Sequence, residues 1–180
     1  AAIAGAFDGG ASEVLVNDSH GQMYNLVPED LDPRATLLQG QKPWSMVAGA
    51  GPDRGFAVAL LVGYHTRAGH PTGTIAHTYS YAPTLTLLQG KPVGEAGINA
   101  LALSAWRVPV GLVCGDDEVA KETEAWFPWA ERVIVKSVES RRAAASVHPS
   151  VARERVRAGA KRAVERAAAG ELRLLEPGTP

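Results

Sequence analysis

The sequence predicts a single α/β domain, with a mainly parallel central sheet flanked by helices. Two observations predict it. Short apolar runs of strand length alternate with helical patterns, and the connections between them are short. The chain has 180 residues, of which 46% are hydrophobic and 21% are charged, so it can bury a sizeable core. We therefore expect residues 1–180 to form one domain.

In the first half of the chain, apolar runs predict strands, and proline and glycine mark their boundaries. Pro43 is suited to the first turn of a helix, where its missing N–H is not needed. The run from Thr74 to Ser80 contains the β-branched and aromatic residues typical of a strand. The predicted elements are the end of a helix (1–8), a buried strand (13–17), a polar loop (28–33), a strand (35–38), a short helix (43–48), and strands at 57–62 and 74–80.

The second half begins with a predicted hairpin over 85–93 that turns at Gln89 and Gly90. Residues 95–105 are apolar on almost every side and predict a buried helix. We expect Asp116 or Asp117 to cap a helix that runs to about residue 126. His148 is expected to cap a last long helix that ends at Gly170. Strands are predicted at 108–113 and 132–138.

The charge is small overall but uneven. The net charge is −1, whereas residues 141–166 contain eight basic side chains and two acidic ones. No aromatic residues are interleaved with these basic groups, so we expect no nucleic-acid partner. A solvated helix face, or contact with an acidic region of a neighbouring subunit, is the favoured interpretation.

The single cysteine, Cys114, ends an apolar run and is expected to be buried. One cysteine cannot form an internal disulfide, which fits a reducing cytoplasm. No apolar run approaches the ~20 residues that a membrane span requires. The first residues carry no positive charge, so no signal peptide is predicted. We therefore expect a cytoplasmic protein without a membrane partner.

Three candidate metal ligands, His20, His65 and Glu95, each follow a predicted strand or turn. Imidazole and carboxylate groups are ligands that zinc prefers. Bound zinc lowers the pKa of water and polarises a carbonyl, so these residues indicate a metal-dependent hydrolase. His77 has three interpretations: a further ligand, a nearby base or electrophile, or a strand histidine bonded to a backbone carbonyl. His70 is expected to face solvent.

The neighbours of His20 also have two interpretations. Asn17 and Asp18 either orient its imidazole or form a local turn. No P-loop, no GxGxxG fingerprint and no GxSxG elbow occurs in the sequence. Nucleotide binding and serine hydrolysis are therefore not predicted.

Several blocks of the sequence, taken together and in order, resemble the zinc-dependent D-aminopeptidase family of the DppA type. The resemblance extends from residue 1 to about residue 170. The blocks are residues 16–21 (VNDSHG), 43–46 (PWSM), 63–69 (GYHTRAG), 76–78 (AHT), 91–95 (KPVGE) and 115–117 (GDD).

The resemblance implies an α/β protomer with two zinc ions. His20, His65 and Glu95 match zinc ligands, and His77 matches the catalytic histidine. It also implies removal of an N-terminal D-residue, typically D-Ala, from short peptides. A further implication is a ring-shaped homo-oligomer, a decamer of two stacked pentamers.

One feature of the family is absent from these 180 residues. In the family, an Asp-x-Glu pair on the first strand supplies further ligands, including a carboxylate that bridges the metals. The family also continues beyond the last helix. We therefore expect a catalytic domain truncated at its N-terminus and at its C-terminus. Two other hypotheses stay open: an incomplete, inactive homologue that acts as an oligomeric scaffold, and a metal-dependent amidase with another amide substrate.

Overall fold

The computed structural model describes residues 1–43, 45–51 and 53–176. It confirms an α/β fold with a mostly parallel sheet. In chain order the elements are α1 (Ala2–Asp8), β1 (Leu15–Asn17), β2 (Thr36–Leu38), β3 (Ala59–Tyr64), β4 (Leu87–Leu88), β5 (Lys91–Pro92), α2 (Glu95–Ala105), β6 (Val110–Asp116), α3 (Asp117–Glu124), β7 (Glu131–Ser140), β8 (Ala143–Ser146) and α4 (Pro149–Ala168).

The central sheet has four strands in the order β3-β6-β7-β8. β3, β6 and β7 run parallel, and β8 pairs antiparallel with β7. Every residue of β6 is buried, which is typical of a parallel strand covered on both faces. Because β3 and β6 are parallel, their carboxyl ends lie at the same edge of the sheet, where His65 follows β3.

Helix α1 packs closely against the long helix α4. Gly5 makes this approach possible, because a Cβ atom there would collide with the Arg157 carbonyl oxygen. The ion pair between Arg157 Nε and Asp8 Oδ2, at 2.6 Å, joins the same two helices. Other basic groups of α4 also pair within the chain: Arg162 and Arg166 both contact Glu131. Part of the basic segment is therefore neutralised by the chain's own carboxylates.

Strands β1 and β2 form a separate parallel pair. A largely apolar groove of about 430 Å³ is lined by residues of both β1 and β3. Leu15 and Val16 of β1 line one side, and Leu60 and Val62 of β3 line the other. Across the part of the chain that the structure describes, no helix is both long and apolar enough to span a bilayer.

The structure confirms most predicted elements, with shifts of a few residues at their ends. The hairpin is β4-β5, and the helix predicted over 95–105 is α2. Asp116 caps α3 by accepting a hydrogen bond from Val119 N, and His148 caps α4. Cys114 is buried, as expected. The predicted short helix over 43–48 is a 3-10 turn, Ser45–Val47, and Trp44 within that prediction lies outside the described residues.

Two predictions were wrong, and one strand was not predicted. Residues 74–80 do not form a strand: they are a loop with one isolated bridge, between Thr78 and Ser80. The strand predicted as buried over 13–17 is shorter and only half-buried. β8 was missed, because Ala143–Ser146 contains mainly alanine, which has a weak strand preference.

Candidate metal centre

Three side chains converge at the carboxyl edge of the sheet. His65 follows β3 directly, Glu95 is the first residue of α2, and His77 lies in the loop between them. One potential ligand atom from each lies within 4.8 Å of the others. His65 and His77 are candidate site residues from two separate stretches of the sequence, and the fold brings both next to Glu95.

Local backbone geometry aims His65 into this cluster. Gly63 has a φ of +81°, a value that glycine adopts without strain. The pairing register between β3 and β6 shifts between Val62 and Tyr64. An irregularity of this kind turns the chain at the end of a strand and re-aims the next side chain.

The two imidazoles have a defined proton position. His65 Nδ1 lies 3.0 Å from the Thr66 carbonyl oxygen, and His77 Nδ1 lies 2.6 Å from the Ile75 carbonyl oxygen. Because a carbonyl oxygen only accepts, each Nδ1 carries the proton and donates it. In the neutral imidazole, Nε2 then keeps its lone pair, which is the form that binds a metal.

Both lone pairs face the same carboxylate oxygen. Glu95 Oε1 lies 3.6 Å from His65 Nε2 and 3.8 Å from His77 Nε2. Three electron-rich atoms so placed repel one another unless a cation or a proton lies among them. Two ligands of one tetrahedral zinc are ~3.4 Å apart, given the usual zinc–nitrogen and zinc–oxygen bond lengths. The donor set therefore fits a zinc ion in chemistry and in spacing.

Glu95 is held in place from the loop that carries His77. Its side chain is only 6% exposed, and Oε1 accepts a hydrogen bond of 2.6 Å from Tyr79 N. Ile75 and Tyr79, which flank His77, have φ angles of +48° and +57°. Such values cost energy in residues other than glycine, and residues that adopt them cluster at active sites.

The surroundings favour a neutral His65. Burial lowers its pKa, against the opposing effects of the Thr66 carbonyl and of Glu95. The rings of His65 and His77 stack with their centroids 4.0 Å apart, and Tyr81 packs on the ring of His77 at 4.7 Å. Neutral imidazole at neutral pH is the state that a metal ligand requires.

A buried hydrogen-bond network supports α2 one turn beyond Glu95. Asn99 Nδ2 donates to the Tyr64 hydroxyl at 2.9 Å, and Asn99 Oδ1 lies 3.4 Å from the Tyr79 hydroxyl. Burial raises the pKa of Tyr64 well above its ordinary value, so its hydroxyl stays protonated. This network links β3, α2 and the His77 loop.

His20 lies outside the cluster. It is exposed, in the loop that follows β1. Its neighbour Asp18 is buried, and the Asp18 carboxylate accepts hydrogen bonds from backbone and side-chain groups of Asn25, from Leu26 N and from Gln39 Nε2. Burial opposes ionisation of Asp18, but these bonds outweigh it and hold its pKa well below its ordinary range. Asp18 therefore organises the loop that carries His20.

The expectation that His70 faces solvent was wrong. Its side chain is only 14% exposed. His70 Nδ1 accepts from Gly73 N at 3.0 Å and from Thr72 N at 3.4 Å. His70 thus closes the turn between His65 and His77.

Tyr79 and Tyr81 were not predicted as site residues. Tyr79 contributes a backbone N–H to Glu95, and Tyr81 contributes its ring to His77. The only signal in the sequence is their position two and four residues after a candidate histidine. Backbone donation by Tyr79 depends on a fold contact that no local pattern reveals.

Comparisons with known proteins identify the family. The sequence model of the D-aminopeptidase family matches residues 1–180. The chain belongs to the D-aminopeptidase family. A D-aminopeptidase of Bacillus subtilis (strain 168) is 44% identical over 151 residues, which are 83% of this chain and 54% of that protein.

A solved structure of the same family has the same fold as this chain. It is described as the Zn-dependent D-aminopeptidase DppA from Bacillus subtilis, a self-compartmentalizing protease. The TM-score is 0.86 and the sequence identity is 38%; the match covers 98% of this chain and 63% of that chain. The present chain therefore spans 54% of the length of the first relative and 63% of the length of the second.

Proposed function

We propose that this protein is a zinc-dependent aminopeptidase that removes the N-terminal D-residue, of the D-Ala type, from short peptides. One observation carries the proposal: two imidazole lone pairs and a buried carboxylate oxygen are aimed at one point at the carboxyl edge of the sheet. Family membership and the zinc dependence named for DppA support the same activity.

His65 and Glu95 are proposed to hold zinc. When bound, zinc polarises a substrate carbonyl and lowers the pKa of water. The hydrogen bond from Tyr79 N keeps the Glu95 carboxylate in position, and the Thr66 carbonyl keeps the His65 lone pair aimed at it. His20 is assigned as a ligand from the family resemblance.

His77 is proposed as the catalytic residue. Its Nε2 can accept a proton from the attacking water and return it to the leaving amine as the C–N bond breaks. The Ile75 carbonyl, which accepts from Nδ1, stabilises the imidazolium that exists between these two transfers. Tyr81 limits the approach of bulk water to one face of the ring.

The second zinc ion, the substrate and the assembly are expectations from the family. In the family, an Asp-x-Glu pair on the first strand contributes to the second zinc; the Asp-x-Glu string of these residues, Asp116–Glu118, lies instead at the start of α3, where Asp116 is the cap. We propose short D-amino-acid peptides as substrates, a homo-oligomer of ten subunits, and a cytoplasmic location. The description of the relative as self-compartmentalizing supports an oligomer.

The test compares hydrolysis of D-Ala-D-Ala with that of L-Ala-L-Ala by the zinc-loaded protein. We expect the D-peptide alone to be cleaved, and His77→Ala to lower kcat by at least about 100-fold. His148→Asn is the control, because asparagine still caps α4 and the residue lies outside the cluster.

Zinc affinity separates the two roles open to His77. Unchanged zinc binding in His77→Ala, together with lost turnover, supports the catalytic role. Lost zinc binding supports the role of a ligand. Equal cleavage of D- and L-peptides would favour an amidase of broader substrate range, and full activity in His77→Ala would contradict the proposal.

A further inference from the structure

A cleft of about 390 Å³ lies beside the metal centre. It is lined by Ile75, Tyr81, Arg141 and Arg142. The first two of these also contact His77, since the Ile75 carbonyl accepts from its Nδ1 and the Tyr81 ring packs on its imidazole. The cleft therefore adjoins two residues that contact His77, and its volume is within the range of small-molecule sites.

The two arginines lie at the tip of the β7-β8 hairpin, which is tied to the His77 loop. Ile75 N donates to the Arg141 carbonyl oxygen at 2.8 Å, and the Thr74 hydroxyl donates to the Ser140 carbonyl oxygen at 3.4 Å. These bonds fix the hairpin tip relative to His77. The position of the arginines is thus determined by the same loop that positions the catalytic histidine.

Neither guanidinium has a partner among the side chains that the structure describes. Their backbones form hydrogen bonds, but residues 1–43, 45–51 and 53–176 provide no ion pair or hydrogen bond to the side chain of Arg141 or Arg142. By contrast, Arg157, Arg162 and Arg166 are all paired with carboxylates. Two free cations that line a cleft provide a site for an anion.

We propose that Arg141 and Arg142 bind the C-terminal carboxylate of a short peptide whose scissile bond lies at His77. This proposal rests on the proposed aminopeptidase function and adds a preference for peptides whose C-terminal carboxylate is free. A carboxylate suits the planar donor fork of arginine. A peptide extends by at most ~3.6 Å per residue, so only a substrate of a few residues places its carboxylate in a cleft that adjoins His77.

The apolar part of the cleft fits the same ligand. Ile75 is 40% exposed and Tyr81 is 67% exposed, so both offer apolar surface that is open to solvent. The side chain that follows the scissile bond would pack there, between His77 and the arginines. Small side chains such as the alanine methyl group satisfy that packing without a deep pocket.

The experiment measures kcat/KM for D-Ala-D-Ala and for its C-terminal amide with the zinc-loaded protein. We expect the free acid to be preferred by about tenfold or more, the effect of one lost charge-assisted hydrogen bond. In the double variant Arg141→Gln, Arg142→Gln, this acid-to-amide ratio should fall to about one. Arg153→Gln is the control, since Arg153 is an exposed arginine on α4 away from the cleft.

A second readout does not depend on turnover. Binding of the two peptides to the metal-free protein, measured by calorimetry, should show the same preference for the free acid and the same loss in the double variant. The double variant Arg141→Lys, Arg142→Lys should show more of the preference for the free acid than the glutamine double variant, because lysine keeps the charge but not the bidentate geometry.

The outcomes distinguish this proposal from the function on which it rests. If neither peptide is cleaved by the zinc-loaded wild type, the proposed function is contradicted. If both are cleaved and the wild-type ratio is near one, the arginine assignment alone is overturned. A high ratio that stays unchanged in the double variant would overturn the arginine assignment as well.

Discussion

Two backbone carbonyls determine which ring nitrogen of His65 and of His77 faces Glu95. Thr66 and Ile75 accept the Nδ1 protons of His65 and His77, which leaves both Nε2 lone pairs directed at Glu95 Oε1. Both contacts are local, over one and two residues. The orientation of each ring is thus set by its own loop before any ligand binds.

Asp18 provides a prediction on stability. Asp18→Ala should lower the free energy of unfolding by about 3 kcal/mol, because it removes the carboxylate that accepts several part-buried, charge-assisted hydrogen bonds. Asp30→Ala is the matched control, since Asp30 is exposed. Chemical denaturation at pH 7 measures both variants, and equal stabilities would contradict the role assigned to Asp18.

The same residue predicts how stability depends on pH. The folded-state pKa of Asp18 is depressed from its ordinary 3.8, so its contribution is present above that pH and is lost as pH falls below it. The difference in unfolding free energy between wild type and Asp18→Ala should therefore shrink between about pH 5 and pH 2. A difference that stays constant over this range would show that ionisation of Asp18 does not stabilise the fold.

At the scale of elements, the sequence predicts a helix or strand correctly where the local pattern and the tertiary contacts favour the same structure. The start of α2 at Glu95 was predicted, because an apolar helical run follows Gly94 directly. The loop over 74–80 was predicted as a strand from its composition. Its real conformation depends on distant partners: Ile75 N bonds to the Arg141 carbonyl and Tyr79 N bonds to Glu95. Local propensity contains no information about those partners.

Packing between α1 and α4 provides a prediction at this scale. Gly5→Ala should destabilise the protein by about 2 kcal/mol, because the added methyl group collides with the Arg157 backbone and the helices must separate. Gly51→Ala is the control, since a Cβ there meets nothing within 4 Å. Thermal unfolding measures the difference, and a gain in stability in Gly5→Ala would contradict the close approach.

At the scale of the whole molecule, the sheet assembles a site from residues that are thirty positions apart. His65, His77 and Glu95 could each be proposed from their positions after strands or turns, but their convergence depends on the fold. His20 was proposed on the same ground, and the structure leaves it exposed and apart from the cluster. Position at the end of an element therefore does not by itself show which candidate residues the fold brings together.

The most direct test of the account is titration of zinc into the metal-free chain, followed by calorimetry and elemental analysis. We predict uptake of at least one zinc ion per chain. In Glu95→Gln, zinc affinity should fall by at least roughly 100-fold. That is the largest loss expected when a residue that only supports a metal ligand is replaced, and Glu95 is itself proposed as a ligand. Glu124→Gln, an exposed glutamate on α3, should bind zinc as the wild type does. Wild-type protein that takes up no zinc, or equal zinc affinity in Glu95→Gln, would contradict a metal centre that includes His65 and Glu95.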